Sequence, residues 1–293
     1  MSSLSLLPNL RRFSLAIAAA AMLGGAFVAS ADSVRPTSGD EVFQPRVGQE
    51  GKDVIWVPTD DALVKAMLEA AKVTPNDVVY DLGAGDGKIA IAAARDFGAR
   101  AVGIEYNPDM AALAQRNAER ENLGDRVKII RGDIFEEDFS EATVVTLYLL
   151  PHLNIKLRPI LLDMKPGTRI VSNSFDMQDW EPDEVIGTEF RTGYYWVVPA
   201  KVAGTWSLDG MPETDKIEFT LSQRFQKVDG SLSVNGLQQP LIDPVLSVDN
   251  LSFAYLDSLG NKREVELKVA GDRMAGQMVN AGVSAAVSAA RVQ

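Results

Sequence analysis

The segment VVYDLGAGDG, residues 78–87, decides the fold of this chain. Residues 78–80 predict a buried strand, and the largely apolar run 89–97 beyond the segment predicts a helix. Glycines at positions 83, 85 and 87 lie between the two elements, where they let the backbone turn tightly and let a ligand approach the main chain. A glycine loop between a strand and a helix is typical of nucleotide-binding α/β proteins.

The acidity of this loop limits the ligands that it can hold. Asp81 and Asp86 would repel a pyrophosphate, and Lys88 stands where the dinucleotide fingerprint G-x-G-x-x-G requires its last glycine. The spacing is G-x-G-x-G instead. Because a carboxylate at the end of the strand suits a cationic amino-acid group, the loop predicts a ligand with a positive end.

Strand and helix patterns alternate from Val57 to about Val198. After the first strand, further strands are predicted over residues 101–104, 127–130, 143–150 and 169–172. Such alternation predicts a parallel sheet that is covered by helices on both faces.

Two more carboxylates follow predicted strands. Glu105 closes the second strand, Asp133 follows the third, and Asn107 with Pro108 is predicted to cap and open the helix between them. Open α/β sheets bind ligands at the carboxyl ends of their strands. There Glu105 can accept both ribose hydroxyls of a nucleoside, and Asp133 can accept the amino group of adenine.

These residues resemble the cofactor motifs of class I S-adenosylmethionine-dependent methyltransferases. A wider resemblance covers about half of the chain, and its motifs are VPT at 57–59, YDLGAGDGKI at 80–89, RIV at 169–171 and WEPD at 180–183. These motifs resemble one branch, which contains bacterial methyltransferases of unassigned substrate and the mitochondrial lysine N-methyltransferases that act on the c subunits of ATP synthase.

The resemblance implies an α/β fold with a Rossmann-like seven-stranded methyltransferase sheet, in a domain over residues 54–200. It implies S-adenosyl-L-methionine as cofactor, no metal, and a methyl acceptor that is a protein lysine or a small molecule. The cofactor-binding residues that it implies are Asp81, Gly83, Ala84, Gly85, Asp86, Gly87, Glu105, Tyr106, Asn107, Asp133 and Ile134.

Acceptor chemistry is usually read at the end of the fourth strand of this family, here Leu147 to His152. The segment lacks the Asn/Asp-Pro-Pro-Tyr/Phe loop of enzymes that methylate planar amides or base amines. Tyr148 is a candidate catalytic residue whose aromatic face tolerates a methylammonium, and core packing is the alternative. His152 is a candidate proton acceptor, and a solvated helix start is the alternative.

A second pattern begins at about residue 201. Apolar and polar residues alternate around turn signals such as Asn235-Gly236, which predicts a small antiparallel β module over residues 201–278. Residues 279–293 are mostly Ala, Val and Ser, and we expect a tail that is a frayed helix or disordered.

The amino terminus has the pattern of a targeting segment. Arg11 and Arg12 precede an apolar run that ends before Ala29-Ser30-Ala31, so residues 1–31 predict a signal peptide and residues 32–53 a polar linker or arm. The expected location is outside the cytoplasm, in the periplasm, without stable membrane insertion after cleavage. An uncleaved anchor is the alternative, although the run is shorter than the ~20 residues of a comfortable span. The arginine pair faintly resembles a twin-arginine signal, which suggests export of the folded protein with its cofactor.

Composition narrows the chemistry further. The chain has 293 residues, no cysteine, one histidine and a formal net charge of −11. The lack of cysteine excludes disulfides and cysteine nucleophiles, and the acidity disfavours nucleic-acid partners. Two competing functions stay open: a non-catalytic nucleoside-binding envelope protein whose β module mediates interactions, and a nicotinamide oxidoreductase.

Overall fold

The alternating strands and helices of the first half form one sheet with helices on both faces. A computed structural model describes residues 39–189, 191–210, 216–280 and 282–292; the predicted signal peptide lies outside these residues. The helices are α1 (Asp61–Ala70), α2 (Lys88–Phe97), α3 (Pro108–Arg120) and α4 (Pro151–Leu162). The strands of the first sheet are β1 (Val78–Leu82), β2 (Arg100–Glu105), β3 (Val127–Arg131), β4 (Val144–Leu147), β5 (Arg169–Asn173), β6 (Glu184–Gly187) and β7 (Thr192–Val197).

The order of the seven strands is β3-β2-β1-β4-β5-β7-β6. Strands β1 to β5 are parallel to one another, whereas β7 runs antiparallel to both β5 and β6. The chain steps from β1 to β2 and β3 on one side and returns to β4 and β5 on the other. The prediction of a Rossmann-like seven-stranded sheet is confirmed, and its switch point lies at the carboxyl end of β1.

Successive residues of a strand point to opposite sides of the sheet, and both sides are buried here. Val79 packs with α1 and α2, whereas Tyr80 and Leu82 pack with α4 and the buried Trp180. The local signals of the sequence set the helix ends. Asn107 accepts hydrogen bonds from the backbone of the first turn of α3, and Pro108 opens that helix as predicted.

The second half forms a nine-stranded antiparallel sheet, which is called the β module below. Its strands are β8 (Gly204–Asp209), β9 (Ile217–Arg224), β10 (Lys227–Val234), β11 (Leu237–Pro240), β12 (Ile242–Ser247), β13 (Asn250–Leu256), β14 (Lys262–Ala270), β15 (Arg273–Asn280) and β16 (Val283–Arg291). Their order is β11-β10-β9-β8-β16-β15-β14-β13-β12. The two outer strands are consecutive in the chain, and the Leu241 N–H between them donates to the Gly230 carbonyl of β10 at 3.0 Å. The sheet therefore curls around one apolar core that contains Trp206, Phe219 and Phe253.

The expectation of a frayed or disordered tail over residues 279–293 is wrong. Residues 283–291 form β16, which pairs with β15 on one side and β8 on the other, at the centre of the module. Val287 and Ala289 of this strand are buried. The module thus needs its last strand, and it extends beyond the predicted end at residue 278.

The described helices include none with the length and apolar character that a membrane crossing requires.

Candidate active site

The glycine loop brings backbone to the carboxyl end of β1 without side chains in the way. Gly83 and Gly85 have positive φ values of 81° and 56°. A Cβ atom on Gly85 would lie 2.7 Å from the indole nitrogen of Trp56, and one on Gly83 would lie 3.0 Å from Leu149. Any larger residue would therefore be strained in its backbone and would collide with the walls of the cavity beside the loop.

Asp81 is buried at the end of β1. Its Oδ1 accepts a hydrogen bond of 2.6 Å from the Thr146 hydroxyl. Burial, together with the negative charges of Asp86 and Glu105, raises the pKa of Asp81 to about 7, although the Thr146 bond acts in the opposite direction. A cationic ligand group next to Asp81 would relieve both effects.

Glu105 ends β2 and reaches across to the glycine loop. Its carboxylate accepts hydrogen bonds from the Gly85 N–H at 2.9 Å and from the Asn107 N–H at 2.8 Å. Burial raises the pKa of Glu105, and the bonds from the backbone oppose that rise. The two backbone donors fix the direction of the carboxylate and link the loop after β1 to the loop after β2.

Asp133 follows β3 and is held by a residue far away in sequence. Its Oδ2 accepts from the Lys52 ammonium at 2.5 Å, and its Oδ1 accepts from the Phe135 N–H at 3.0 Å. The Lys52 bond is the main cause that lowers the pKa of Asp133. The same ammonium lies 4.9 Å from the ring centroid of Tyr106, within the distance of a cation–π contact.

Lys52 stands at the tip of a short hairpin, most of which lies in the predicted linker, residues 32–53. The Gly48 N–H donates to the Trp56 carbonyl at 2.8 Å, and the Trp56 N–H donates to the Gln49 carbonyl at 2.9 Å. Glu50 and Ile55 form an antiparallel bridge between these bonds. The hairpin, residues 48–56, will be called the arm, and it forms one wall of the cavity.

The cavity has a volume of about 260 Å³ and two chemically different ends. Glu105 ends β2 and Asp133 follows β3, and both strands lie on one side of β1. Tyr148 and Phe175 follow β4 and β5 on the other side, with ring centroids 6.5 Å apart and planes inclined by 26°. A ligand that lies across the switch point therefore has carboxylates at one end and aromatic rings at the other.

A relative of similar sequence shows which family of proteins has this site. A protein-lysine N-methyltransferase of Saccharolobus islandicus (strain REY15A) is 49% identical over 151 residues, which are 50% of this chain and 94% of the relative. The chain belongs to the class I S-adenosylmethionine-dependent methyltransferases.

Other comparisons give related descriptions. The model of the ANTKMT methyltransferase domain matches residues 81–184. A lysine N-methyltransferase of Homo sapiens that is named for the c subunits of ATP synthase is 29% identical over 138 residues, and the match spans 47% of this chain and 58% of that relative. A solved RNA methyltransferase of Salinibacter ruber, in complex with S-adenosyl-L-homocysteine, is 52% identical with a TM-score of 0.49 and covers 50% of this chain and 96% of that one.

The cavity of this methyltransferase fits its cofactor, S-adenosyl-L-methionine. Asp81 and Glu105 both line this cavity, and we expect them to bind the amino group and the ribose hydroxyls, respectively. Gly83 and Gly85, which have no side chain, leave room for the amino-acid tail against the backbone. The three acids around the glycine loop, Asp81, Asp86 and Glu105, favour a cationic ligand over the phosphates of a dinucleotide. This argues against a nicotinamide oxidoreductase.

The structure brings most of the predicted site residues to this cavity. Those that line it are Asp81, Gly83, Ala84, Gly85, Asp86, Glu105, Tyr106, Asn107, Asp133, Ile134 and Tyr148. Gly87 does not line it; instead Gly87 adopts a φ of 83° before α2, where a Cβ atom would lie 3.1 Å from Ala114. The roles of these residues in cofactor binding stay predictions.

His152, like Gly87, is a predicted residue that does not line the cavity. It lies exposed in the first turn of α4 and is not among the residues that line the cavity. Lys52 and Phe175 are among the lining residues that were not predicted. No local signal marks Lys52, because its partner is 81 residues away. Phe175 follows the predicted strand 169–172 by three residues, and this position after a parallel strand indicates the edge of the sheet where ligands bind.

The described residues include no cluster of three or more His, Asp or Glu side chains that could hold a metal ion.

Proposed function

We propose that this methyltransferase methylates lysine side chains of a protein. The observation that carries the proposal is the relative from Saccharolobus islandicus, which is named for this activity and is matched over 94% of its length. The lysine N-methyltransferases named for ATP synthase support the same acceptor class.

The acceptor end of the cavity suits a lysine. Tyr148 and Phe175 present aromatic rings there, and such rings attract an ammonium or methylammonium group. Leu149, Leu150 and Leu153 line the cavity beside them, and an apolar wall lowers the pKa of a buried lysine toward the neutral, nucleophilic form.

Methyl transfer depends mainly on how the protein aligns the two reactants, because the cofactor itself supplies the reactive group. When bound, S-adenosyl-L-methionine supplies an activated methyl group on its sulfonium. The residues of the chain hold the methyl donor and the acceptor in line. Asp81 and Glu105 bind the cofactor, and Tyr148 positions the acceptor on the other side of β1. Such alignment contributes ~7 kcal/mol or more to catalysis.

The proposal is tested by incubating the protein with methyl-labelled S-adenosylmethionine and a cell-envelope extract, followed by mass spectrometry of the labelled products. We expect methylated lysine in protein. Label that appears only in RNA or in small molecules would overturn the proposal.

Two variants complete this assay. Glu105→Ala removes the carboxylate for the ribose, so we expect labelling to fall to background. Tyr148→Phe keeps the ring and removes the hydroxyl; labelling within about threefold of wild type is expected if the ring face is what the acceptor uses.

We propose further that the enzyme works outside the cytoplasm, in the periplasm. The support is the sequence pattern of residues 1–31, with Arg11 and Arg12 before an apolar run and small residues at 29–31. Cell fractionation tests this location, and mass spectrometry of the mature amino terminus separates cleavage after Ala31 from a retained anchor. Replacement of both arginines by lysine should block export if the folded protein travels with its cofactor by a twin-arginine route.

A further inference from the structure

One residue of the β module packs against the core of the methyltransferase sheet. Phe225 lies in the turn between β9 and β10 and packs with the apolar cluster on the α4 face of the first sheet. Its ring stacks on the buried Trp180 with centroids 5.9 Å apart and planes inclined by 18°. The guanidinium of Arg158 from α4 lies 5.3 Å from the same ring.

Polar contacts surround this ring and tie the same turn to residues 179–183. The Gln226 amide donates to the Glu181 carbonyl at 2.8 Å, and Lys227 pairs with the Glu181 carboxylate at 2.6 Å. Arg224 pairs with Asp179 at 2.9 Å. The β9–β10 turn, residues 224–227, is therefore fastened to one short segment of the methyltransferase domain.

The fastened segment carries an aromatic residue of the cavity. Residues 174–183, called the acceptor segment below, begin after β5 and include Phe175. Arg158 donates to the Met177 carbonyl at 2.9 Å, and the buried Asn154 donates to the Phe175 carbonyl at 3.1 Å. The Ser172 hydroxyl donates to the same carbonyl at 2.6 Å. The segment is thus held by α4 and β5 at its start and by the β module at its end.

We propose that Phe225 is a positioning residue for the methyl acceptor. It holds Trp180, Trp180 fixes the end of the acceptor segment, and that segment sets the place of Phe175 against Tyr148. The β module therefore acts on the acceptor end of the cavity and leaves the carboxylate end unchanged. The inference rests on the proposed function for the identity of the acceptor, and it assigns a role to a module that lies beyond the matched family domain, residues 81–184.

The variant that tests this role is Phe225→Gly. The φ of Phe225 is +57°, a value that glycine adopts without strain, so the substitution removes the ring while it keeps the turn. Phe225→Tyr keeps the ring. Leu259→Ala is the matched control, because Leu259 is an exposed apolar residue in another turn of the same module.

Two readouts are measured on the full chain. Amide hydrogen exchange is followed in peptides that cover residues 174–183 and 81–87. Methyl transfer is measured with the envelope extract at graded concentrations, at enzyme concentrations fixed by titration with S-adenosylhomocysteine.

For Phe225→Gly we expect exchange in the acceptor segment to rise about tenfold, with no change in the glycine loop. We expect kcat/KM for the extract to fall about tenfold, chiefly through KM, while the Kd of S-adenosylhomocysteine stays within about twofold. Phe225→Tyr and Leu259→Ala should behave as wild type.

Unchanged exchange in the acceptor segment would overturn the inference. So would raised exchange with unaltered acceptor kinetics, because Phe225 would then be structural only. If the wild-type enzyme labels no lysine, the proposed function fails, and the exchange result by itself supports or overturns the positioning of the segment.

Discussion

Asp81 is a buried acid with two acidic neighbours, and these surroundings make its charge state sensitive near neutral pH. Its pKa is raised to about 7 by burial and by Asp86 and Glu105. The carboxylate, not the acid, attracts the amino group of the cofactor. We therefore expect the Kd of S-adenosylhomocysteine to rise about tenfold between pH 8 and pH 6, measured by titration calorimetry.

The control is Asp81→Asn, which keeps an oxygen for the Thr146 hydroxyl and cannot ionise. It should bind the cofactor weakly, with a smaller dependence on pH between pH 6 and pH 8. The folded-state pKa of Asp81 lies above its unfolded value, so the native protein binds the extra proton and wild-type stability falls as pH rises from about 4 to about 7. Asp81→Asn should therefore stabilise the ligand-free protein by about 2 kcal/mol at pH 8. Equal stability of the two proteins at pH 8 would contradict this explanation.

The arm is the element that contacts Asp133, the predicted partner of the adenine amino group. Both oxygens of Asp133 already accept hydrogen bonds, one from Lys52 and one from the Phe135 backbone. We expect the adenine amino group to compete with the Lys52 ammonium for Oδ2 of Asp133, although each carboxylate oxygen can accept a second hydrogen bond. We expect Lys52→Met to speed association of S-adenosylhomocysteine about fivefold in stopped-flow experiments, because the competing ammonium is gone.

The matched control for the arm is Lys65→Met. Lys65 is an exposed lysine of α1 that pairs only loosely with Glu69 at 3.7 Å. Its replacement removes the same charge without touching Asp133, so association should be unchanged. Slower association in Lys52→Met would show that the ammonium assists the ligand instead of competing with it.

Elements with strong local signals could be predicted, and elements held by distant partners could not. The strand before Asp81 is apolar and is followed by glycines, so its place and the site beside it follow from nearest-neighbour chemistry. The arm carries no such pattern, since its position depends on contacts with residues far along the chain. Strand β16 reads Val-Ser-Ala-Ala-Val-Ser-Ala-Ala, and alanine favours helices, so local propensity misled the prediction.

At the scale of the whole molecule, β16 can be built from small residues because large residues of other strands already fill the core of the module. Ala289 pairs with Met274 on one side and with Leu208 on the other, and all three side chains are buried in the same core as Trp206. The alternation of buried and exposed residues is present in β16, but the apolar contrast is weak. Tertiary packing, which no local pattern reports, decides this strand.

The same packing predicts how far the two halves of the molecule depend on each other. Ala289 points into the core and Ala290 points to solvent, so Ala289→Asp and Ala290→Asp are a matched pair on one strand. The buried charge should cost roughly 3 kcal/mol or more of module stability, whereas the exposed charge should cost less than about 1 kcal/mol. Hydrogen exchange of β8 and β16 under increasing urea measures both values.

The cofactor-binding half should survive the loss of the module. All residues that line the cavity lie between Gln49 and Phe175, and the 151-residue match accounts for nearly the whole of the Saccharolobus islandicus relative. We therefore expect Ala289→Asp to retain S-adenosylhomocysteine binding within about threefold, while its methyl transfer falls as in Phe225→Gly because the β9–β10 turn no longer holds the acceptor segment. Loss of cofactor binding together with the module would mean that the two sheets fold as one unit, and the division into a binding half and a positioning half would then be wrong.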